Sequence, residues 1–283
     1  MPIELEKVRS LFFKPDRTRD SQFMRREVAS RMAERLSLIK IDPGFILDAG
    51  CGYSADMSEL AKLFEGGHVI GLDMSWDVLE EAKRENNEAE KVSRLVCGNF
   101  ATLPFEANSV DVIWSNLALH WYPEPVRVLR EWCRVLKPNG LLMFSCFGNG
   151  TFAELRTTFS EIDSYSHVHS FEDMIQLGDG LIESGFTEPV LERERINVTY
   201  KDVEKLLADV RAFGGNAMSG RRKGLFGKKA YEKLLKLLEE KRVRNGTLSL
   251  EFDIIFAHAF KKDDSMPAGE KVMQFYDRNN HEN

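Results

Sequence analysis

Two acids and two glycines are placed where they could do chemistry together. Asp48, Gly50 and Gly52 belong to Phe45-Ile46-Leu47-Asp48-Ala49-Gly50-Cys51-Gly52-Tyr53-Ser54, and Asp73 ends Val69-Ile70-Gly71-Leu72-Asp73. Glycines let backbone approach a ligand, and the first amides of a following helix favour an anionic group. An acid at the tip of the next strand binds ribose hydroxyls in open parallel sheets. Together these residues form a site for a nucleoside cofactor.

Gly50-x-Gly52-x-x-Ala55 with Asp73 also fits the dinucleotide fingerprint, so an NAD-dependent oxidoreductase is one reading. Three features pull away from it. Asp48 would repel a pyrophosphate at the strand mouth and suits a cationic amino-acid head group. Asn99 and Phe100, in Cys97-Gly98-Asn99-Phe100-Ala101-Thr102-Leu103-Pro104-Phe105, suit an adenine amino group and ring face, although Asn99 also reads as a turn residue. Asp111-Val112-Ile113-Trp114-Ser115-Asn116-Leu117-Ala118-Leu119-His120-Trp121 ends a strand on polar groups, where ligands bind in such sheets.

The elements that must position these residues alternate. The apolar runs and breakers predict strands over 45–48, 68–73, 92–97, 110–116 and 140–147, with helices over 55–64, 76–85 and 124–136. Ser54 and Asp56 serve as first-turn residues of the first of these helices. Lys137-Pro138-Asn139-Gly140 stops the last helix and turns before the strand. This order implies right-handed crossovers and a mostly parallel sheet covered on both faces.

Residues 1–40 predict a helical cap, its second helix running from about Asp20 to Leu38 with Phe23, Val28, Met32 and Leu36 on one face, broken from the first at Lys14-Pro15-Asp16-Arg17. The cap either covers the cofactor cleft or only packs. After residue 150 come helices over 151–163 and 171–184, a strand over 190–199, helices over 202–213 and 227–240, and a last strand Leu250 to Phe260. That strand is expected at a sheet edge, antiparallel to the rest. One domain over 41–260 carries helical insertions at about 151–185 and 204–246, the second a lid or substrate-binding segment, and 261–283 is a polar tail.

Composition limits the function. A net charge of −6 and a pI near 5.7 in 283 residues exclude the basic footprint of a nucleic-acid protein. No apolar run spans a membrane, and the first residues resemble neither a signal nor a transit peptide. Cys51, Cys97, Cys133 and Cys146 form no C-x-x-C pair and read as reduced, mostly buried residues of a cytoplasmic protein, with no metal ligand spacing.

These pieces, in this order, resemble the class I S-adenosylmethionine-dependent methyltransferases over residues 40–147. The fold this implies is an α/β Rossmann-like sheet of seven strands, mostly parallel with an antiparallel last strand, plus helical lids. The resemblance implies Asp48, Gly50 and Gly52 around the methionine part, Asp73 on the ribose, and Asn99 with Phe100 at the adenine. Ala49, Cys51 and Met74 lie beside them on the same turns, and Ser115 and Asn116 would line the cleft near the sulfonium. The class more often has Asp where Asn99 stands and Gly near Ser54. Asn99 can still accept from an exocyclic amine through its carbonyl oxygen.

Three further stretches extend the resemblance over about 10–260: Ser115 to Trp121, Gly150-Thr151-Phe152-Ala153-Glu154-Leu155-Arg156, and Tyr200 through Gly214-Gly215-Asn216-Ala217 to Arg221-Arg222-Lys223. They resemble the malonyl-acyl-carrier-protein O-methyltransferases of biotin synthesis. They are similar also to complex I assembly factors that hydroxylate an arginine on the same fold. The first family implies a malonyl group on an acyl carrier protein as partner and substrate. Its N-terminal helix commonly offers an aromatic hydroxyl, which Arg17-Thr18-Arg19-Asp20 lacks. A non-catalytic protein retaining the fold is a further alternative.

Methylating a carboxylate needs positioning rather than a base, because the group is ionised at neutral pH. Arg156, Arg211, Arg221 and Arg222 are the candidate clamps for a carboxylate or a phosphopantetheine arm. Arg221-Arg222-Lys223 with Lys228-Lys229 either docks an acidic carrier or is a solvated surface. His120 is either structural or a substrate contact, and Trp121 and Tyr122 either wall the pocket or pack.

Overall fold

Phe45–Ala49 forms β1, a short apolar strand buried everywhere but at Phe45. It pairs in parallel with β2 (His68–Asp73) on one side and β4 (Val110–Asn116) on the other. β3 (Arg94–Cys97) continues outward from β2, and β5 (Leu136–Phe147) from β4. β7 (Leu248–Lys261) then runs antiparallel between β5 and β6 (Phe186–Tyr200), giving the order β3-β2-β1-β4-β5-β7-β6. These observations come from a computed structural model that describes residues 3–12, 22–86, 94–213 and 215–263. The expected break at residues 14–17, the tyrosine-free stretch 17–20, Gly214 and the tail beyond 263 lie outside the described residues.

The last strand is antiparallel as expected, but it is not the edge. Its run Phe252–Ala257 is wholly buried, as a central strand must be, whereas β6 leaves Glu192, Arg193 and Arg195 exposed and Glu194 half-buried. A charged, alternating strand tolerates an edge position. The turn Lys137–Gly140 also falls inside β5 rather than before it. The register steps from Val110↔Leu136 to Val112↔Leu141, and Asn139 takes a φ of 60°.

Strand alternation builds two cores, because successive side chains face opposite sides. Ile46 joins one core, with Met57 and Leu60 of α3 (Ala55–Leu63) and Val28, Met32 and Leu36 of α2 (Gln22–Leu36). Leu47 joins the other, with Val128, Leu129 and Trp132 of α5 (Pro125–Val135) and Leu177 and Leu181 of α7 (Met174–Glu183). Met24, not Phe23, takes the inward position at the start of α2; Phe23 is 45% exposed. α4 (Trp76–Asn86) connects β2 to β3. α7 is therefore a crossover helix between the parallel strands β5 and β6.

α6 (Ala153–Ser160), α8 (Val203–Ala212) and α9 (Lys228–Glu239) pack Leu155, then Val203, Leu206 and Leu207, then Leu234 and Leu238 into the first core, and α1 (Leu5–Phe12) packs Val8 against Trp121 and Ala217.

Candidate functional site

A cavity opens where β1 and β4 adjoin, the point at which strand order reverses and ligands bind in such sheets. The breaks that shape it are local. Gly50 has a φ of 87°, and a Cβ there would lie 2.5 Å from the Ala118 methyl, so only glycine fits. Gly52 also has a positive φ, 53°, but faces open space. The N–H of Gly50 donates to the Leu72 carbonyl at 2.7 Å, and that of Gly52 to Asp73 Oδ2 at 3.1 Å. Asp73 Oδ1 accepts from Ser75 N–H at 2.9 Å. Burial raises the Asp73 pKa, while those amides and the charge of Arg25 pull it down.

Of the expected cofactor residues, Gly50, Gly52, Asp73, Met74, Asn99, Phe100 and Asn116 line this cavity. Asn99 lines the wall, and its Oδ1 accepts Ala101 N–H at 2.9 Å, closing the local turn. Its oxygen keeps a second lone pair. Ser115 does not line the cleft. Consecutive strand residues face opposite ways, so Ser115 is fully buried and donates to the Ala49 carbonyl at 2.7 Å. Asn116 faces the cavity side, donating 2.9 Å bonds to Asp56 Oδ2 and the Arg25 carbonyl and accepting from Ser145 Oγ. Ala49 and Cys51 lie behind the turn, off the wall. Burial beside Asp48 and Asp73 pushes the Cys51 thiol well up.

Asp48 is 1% exposed, behind the glycine turn, and neither carboxylate oxygen has a partner among the described residues. Burial, with Asp56 and Asp73 nearby, raises its pKa well above the ordinary range. Ser54 makes no side-chain cap on α3. Asp56 instead accepts Trp114 Nε1–H at 3.0 Å, binding the helix start to β4. Cys97 is exposed and Cys51 half-buried, so only Cys133 and Cys146 fit the buried reading; all four are free thiols.

Sequence reasoning missed Arg25. Its guanidinium lines the cavity, its Nε is buried without a partner among the described residues, and it lies 5.7 Å from the Phe12 ring. Burial lowers its pKa, against the pull of Tyr53, Asp73 and Asp56. Leu5, Val8 and Phe12 of α1 cover the same cavity, at the spacing of one helical face.

A second cavity of about 320 Å³ lies between the segments 152–171 and 207–234. Phe147, Phe152, Phe159, Phe171, Phe213 and Phe226 wall it, and Trp121 lines both cavities. Trp121 is thus a wall, and it packs as well, edge-on to Phe12 at 5.1 Å. Arg211, Arg221 and Arg222 reach this second cavity; Arg156 does not, because it donates to the carbonyls of His169 at 2.8 Å and Asn149 at 2.7 Å. Arg221 pairs with Glu4 at 2.7 Å and Arg222 with Asp163 at 3.2 Å. Arg211 has no partner among the described residues. His120 borders a smaller third cavity. Its Nδ1 accepts Phe147 N–H at 3.3 Å, and burial holds its pKa well below the usual value.

The sheet order, the glycine turn and the acid at the tip of β2 define a class I S-adenosylmethionine-dependent methyltransferase. A methyltransferase-domain family profile matches residues 47–144. The malonyl-[acyl-carrier protein] O-methyltransferase of Gallionella capsiferriformans is 40% identical over 247 residues, 85% of each chain, and that of Laribacter hongkongensis 36% over 264 residues, 90% of this chain and 89% of that one. The chain belongs to the malonyl-[acyl-carrier protein] O-methyltransferase family. Among solved structures, the Bacillus subtilis YcgJ protein superposes with a TM-score of 0.60 at 16% identity, over 84% of this chain and 99% of that one. A Haemonchus contortus phosphoethanolamine N-methyltransferase, solved with S-adenosylhomocysteine, superposes with a TM-score of 0.52 at 18% identity, over 85% of this chain and 52% of that one.

The first cavity suits S-adenosylmethionine chemically. Gly52 leaves open space beside the turn, Asp73 retains lone pairs for hydroxyls, and Phe100 offers a ring face. Arg25 presents a guanidinium, its Nε without a partner among the described residues, that can meet a carboxylate.

Proposed function

We propose that this chain methylates the free carboxylate of a malonyl group carried by an acyl carrier protein, with S-adenosylmethionine as donor. The observation that carries the reading is Trp121, the wall common to the nucleoside cavity and the phenylalanine-lined cavity. The second cavity takes an acyl arm, and its inner end meets the first at that ring.

Asp73 would hold the ribose, Asn99 and Phe100 the adenine, and Arg25 with the Gly50–Gly52 turn the methionine part. When bound, the cofactor supplies an electrophilic methyl group on a positive sulfur. The chain's own residues then orient the acceptor and exclude water. A carboxylate with an ordinary pKa near 4 needs no base at neutral pH. Fixing its oxygen in line can supply about 7–11 kcal/mol of the barrier. Arg211, the cavity arginine without a partner among the described residues, grips the substrate anion.

The carrier docks beside the cavity mouth, on the lysines of the expected basic patch rather than on its arginines. Glu4 and Asp163 engage Arg221 and Arg222, which leaves the charge with Lys223 and Lys229 around Leu225, itself 93% exposed. Acidic carriers are steered by such unpaired cations.

The test is transfer of labelled methyl to malonyl-, succinyl- and acetyl-carrier protein. Label is expected on the malonyl form and not on the acetyl form, and transfer to none of the three removes the reading. In the same assay, Lys223→Glu with Lys229→Glu is expected to raise KM several-fold for the carrier-bound substrate but not for malonyl-pantetheine. An unchanged KM moves the docking face elsewhere.

A further inference from the structure

Among the described residues that line the phenylalanine-walled cavity, one carries a buried side-chain atom without a hydrogen-bond partner. His169 lines this cavity, is 3% exposed, and its Nε2 has no hydrogen-bond partner among the described residues. Its ring stacks on Phe171 at 5.0 Å and meets Trp121 edge-on at 5.3 Å. The tautomer follows from the neighbouring bond. Nδ1 lies 3.0 Å from the Ser170 carbonyl, which can only accept, so Nδ1 carries the proton and Nε2 presents a bare lone pair. Burial draws the ring's pKa down to about 4, which keeps it neutral and accepting.

The segment that carries His169 is held in place. Arg156 donates to the His169 carbonyl at 2.8 Å and to the Asn149 carbonyl at 2.7 Å, and Asn216 donates to the Ser166 carbonyl. A buried acceptor kept without a donor is destabilising unless a ligand or an ordered water completes it.

We propose that His169 Nε2 accepts an amide N–H from the acyl arm of the substrate and so selects amide-bearing thioesters. The proposal rests on the acyl-carrier reading above. A malonyl thioester offers only oxygen acceptors, to which a neutral imidazole lone pair cannot bond. The first donor along a pantetheine arm is the amide N–H an ethylene unit beyond the sulfur. His169 is therefore a specificity residue for the arm, whereas the reacting carboxylate is left to the arginine.

Calorimetry in the presence of S-adenosylhomocysteine tests this without requiring turnover. The probes are the malonyl thioester of N-acetylcysteamine, which has the amide, and that of pentanethiol, which lacks it. The wild type is expected to bind the amide thioester roughly fivefold more tightly, the effect of one neutral hydrogen bond. His169→Phe should abolish the preference and His169→Gln, whose carbonyl can accept, should keep part of it. S-adenosylhomocysteine affinity, unchanged in both variants, reports that the fold is intact. No preference in the wild type, or an equal one in His169→Phe, overturns the proposal and leaves Nε2 to water. Turnover of the same thioesters separates the two readings: methylation with no amide preference sinks only the role of His169, and amide preference without methylation sinks only the reaction.

Discussion

The backbone amide of Gly52 donates to the Asp73 carboxylate at 3.1 Å, across 21 positions of sequence. This bond holds the tip of β2 against the glycine turn after β1. Arg25 of α2 adds its charge to the same carboxylate, so three separate elements converge on one acid. In the proposed reading, their convergence sets where the nucleoside and its amino-acid part would lie.

Arg25 should discriminate between ligands with and without that amino-acid part. Arg25→Met keeps the length of the side chain and removes the charge. Calorimetry is expected to show roughly a tenfold or larger loss for S-adenosylhomocysteine, the scale of a charged hydrogen bond, and little change for 5′-methylthioadenosine. Equal losses for both would place Arg25 away from the carboxylate.

Asp48 makes binding depend on pH. Its folded-state pKa is raised by burial and by Asp56 and Asp73. The stability that protonation gives is therefore present below the ordinary value near 4 and lost as pH rises through the raised one. An ammonium group brought close by the ligand lowers that pKa and releases a proton. Wild-type affinity for S-adenosylhomocysteine should thus rise with pH from the ordinary carboxylate range up through the raised value, and Asp48→Asn should flatten the slope. The same variant should melt higher than wild type at pH 8 by more than at pH 5. A slope unchanged in the variant would assign the linkage to another group.

The glycine turn and both acid-tipped strands were legible because their signals are local: an apolar run, a breaker, a resumed helical period. Arg25 was not, since it is one of several charges on α2 and reaches the cavity only through packing across the sheet. His169 lies in a loop without a motif, and only the cavity around it gives it meaning. Two misreadings had signals in the sequence. Ser115 and Asn116 are consecutive in a strand, so period-two alternation forbids both facing one cleft. The apolar run Ile254–Ala257 marks a central strand, and the alternating charges Glu192–Arg195 mark the edge.

The docking cations show a different limit. Arg221 and Arg222 look like free charge in sequence, yet Glu4 and Asp163, distant in the chain, neutralise them. A run of like charges becomes a surface field only where the fold supplies no partner.

The central claim is that the Gly50–Gly52 turn and Asp73 hold a sulfonium nucleoside. Calorimetry with S-adenosylhomocysteine and NADH, on the wild type and Asp73→Ala side by side, tests it most directly. The account predicts that the wild type binds S-adenosylhomocysteine and not NADH, and that Asp73→Ala weakens the first by roughly tenfold to a hundredfold through lost hydroxyl bonds. Binding of NADH in preference, or an Asp73→Ala variant with undiminished affinity for S-adenosylhomocysteine, would contradict it.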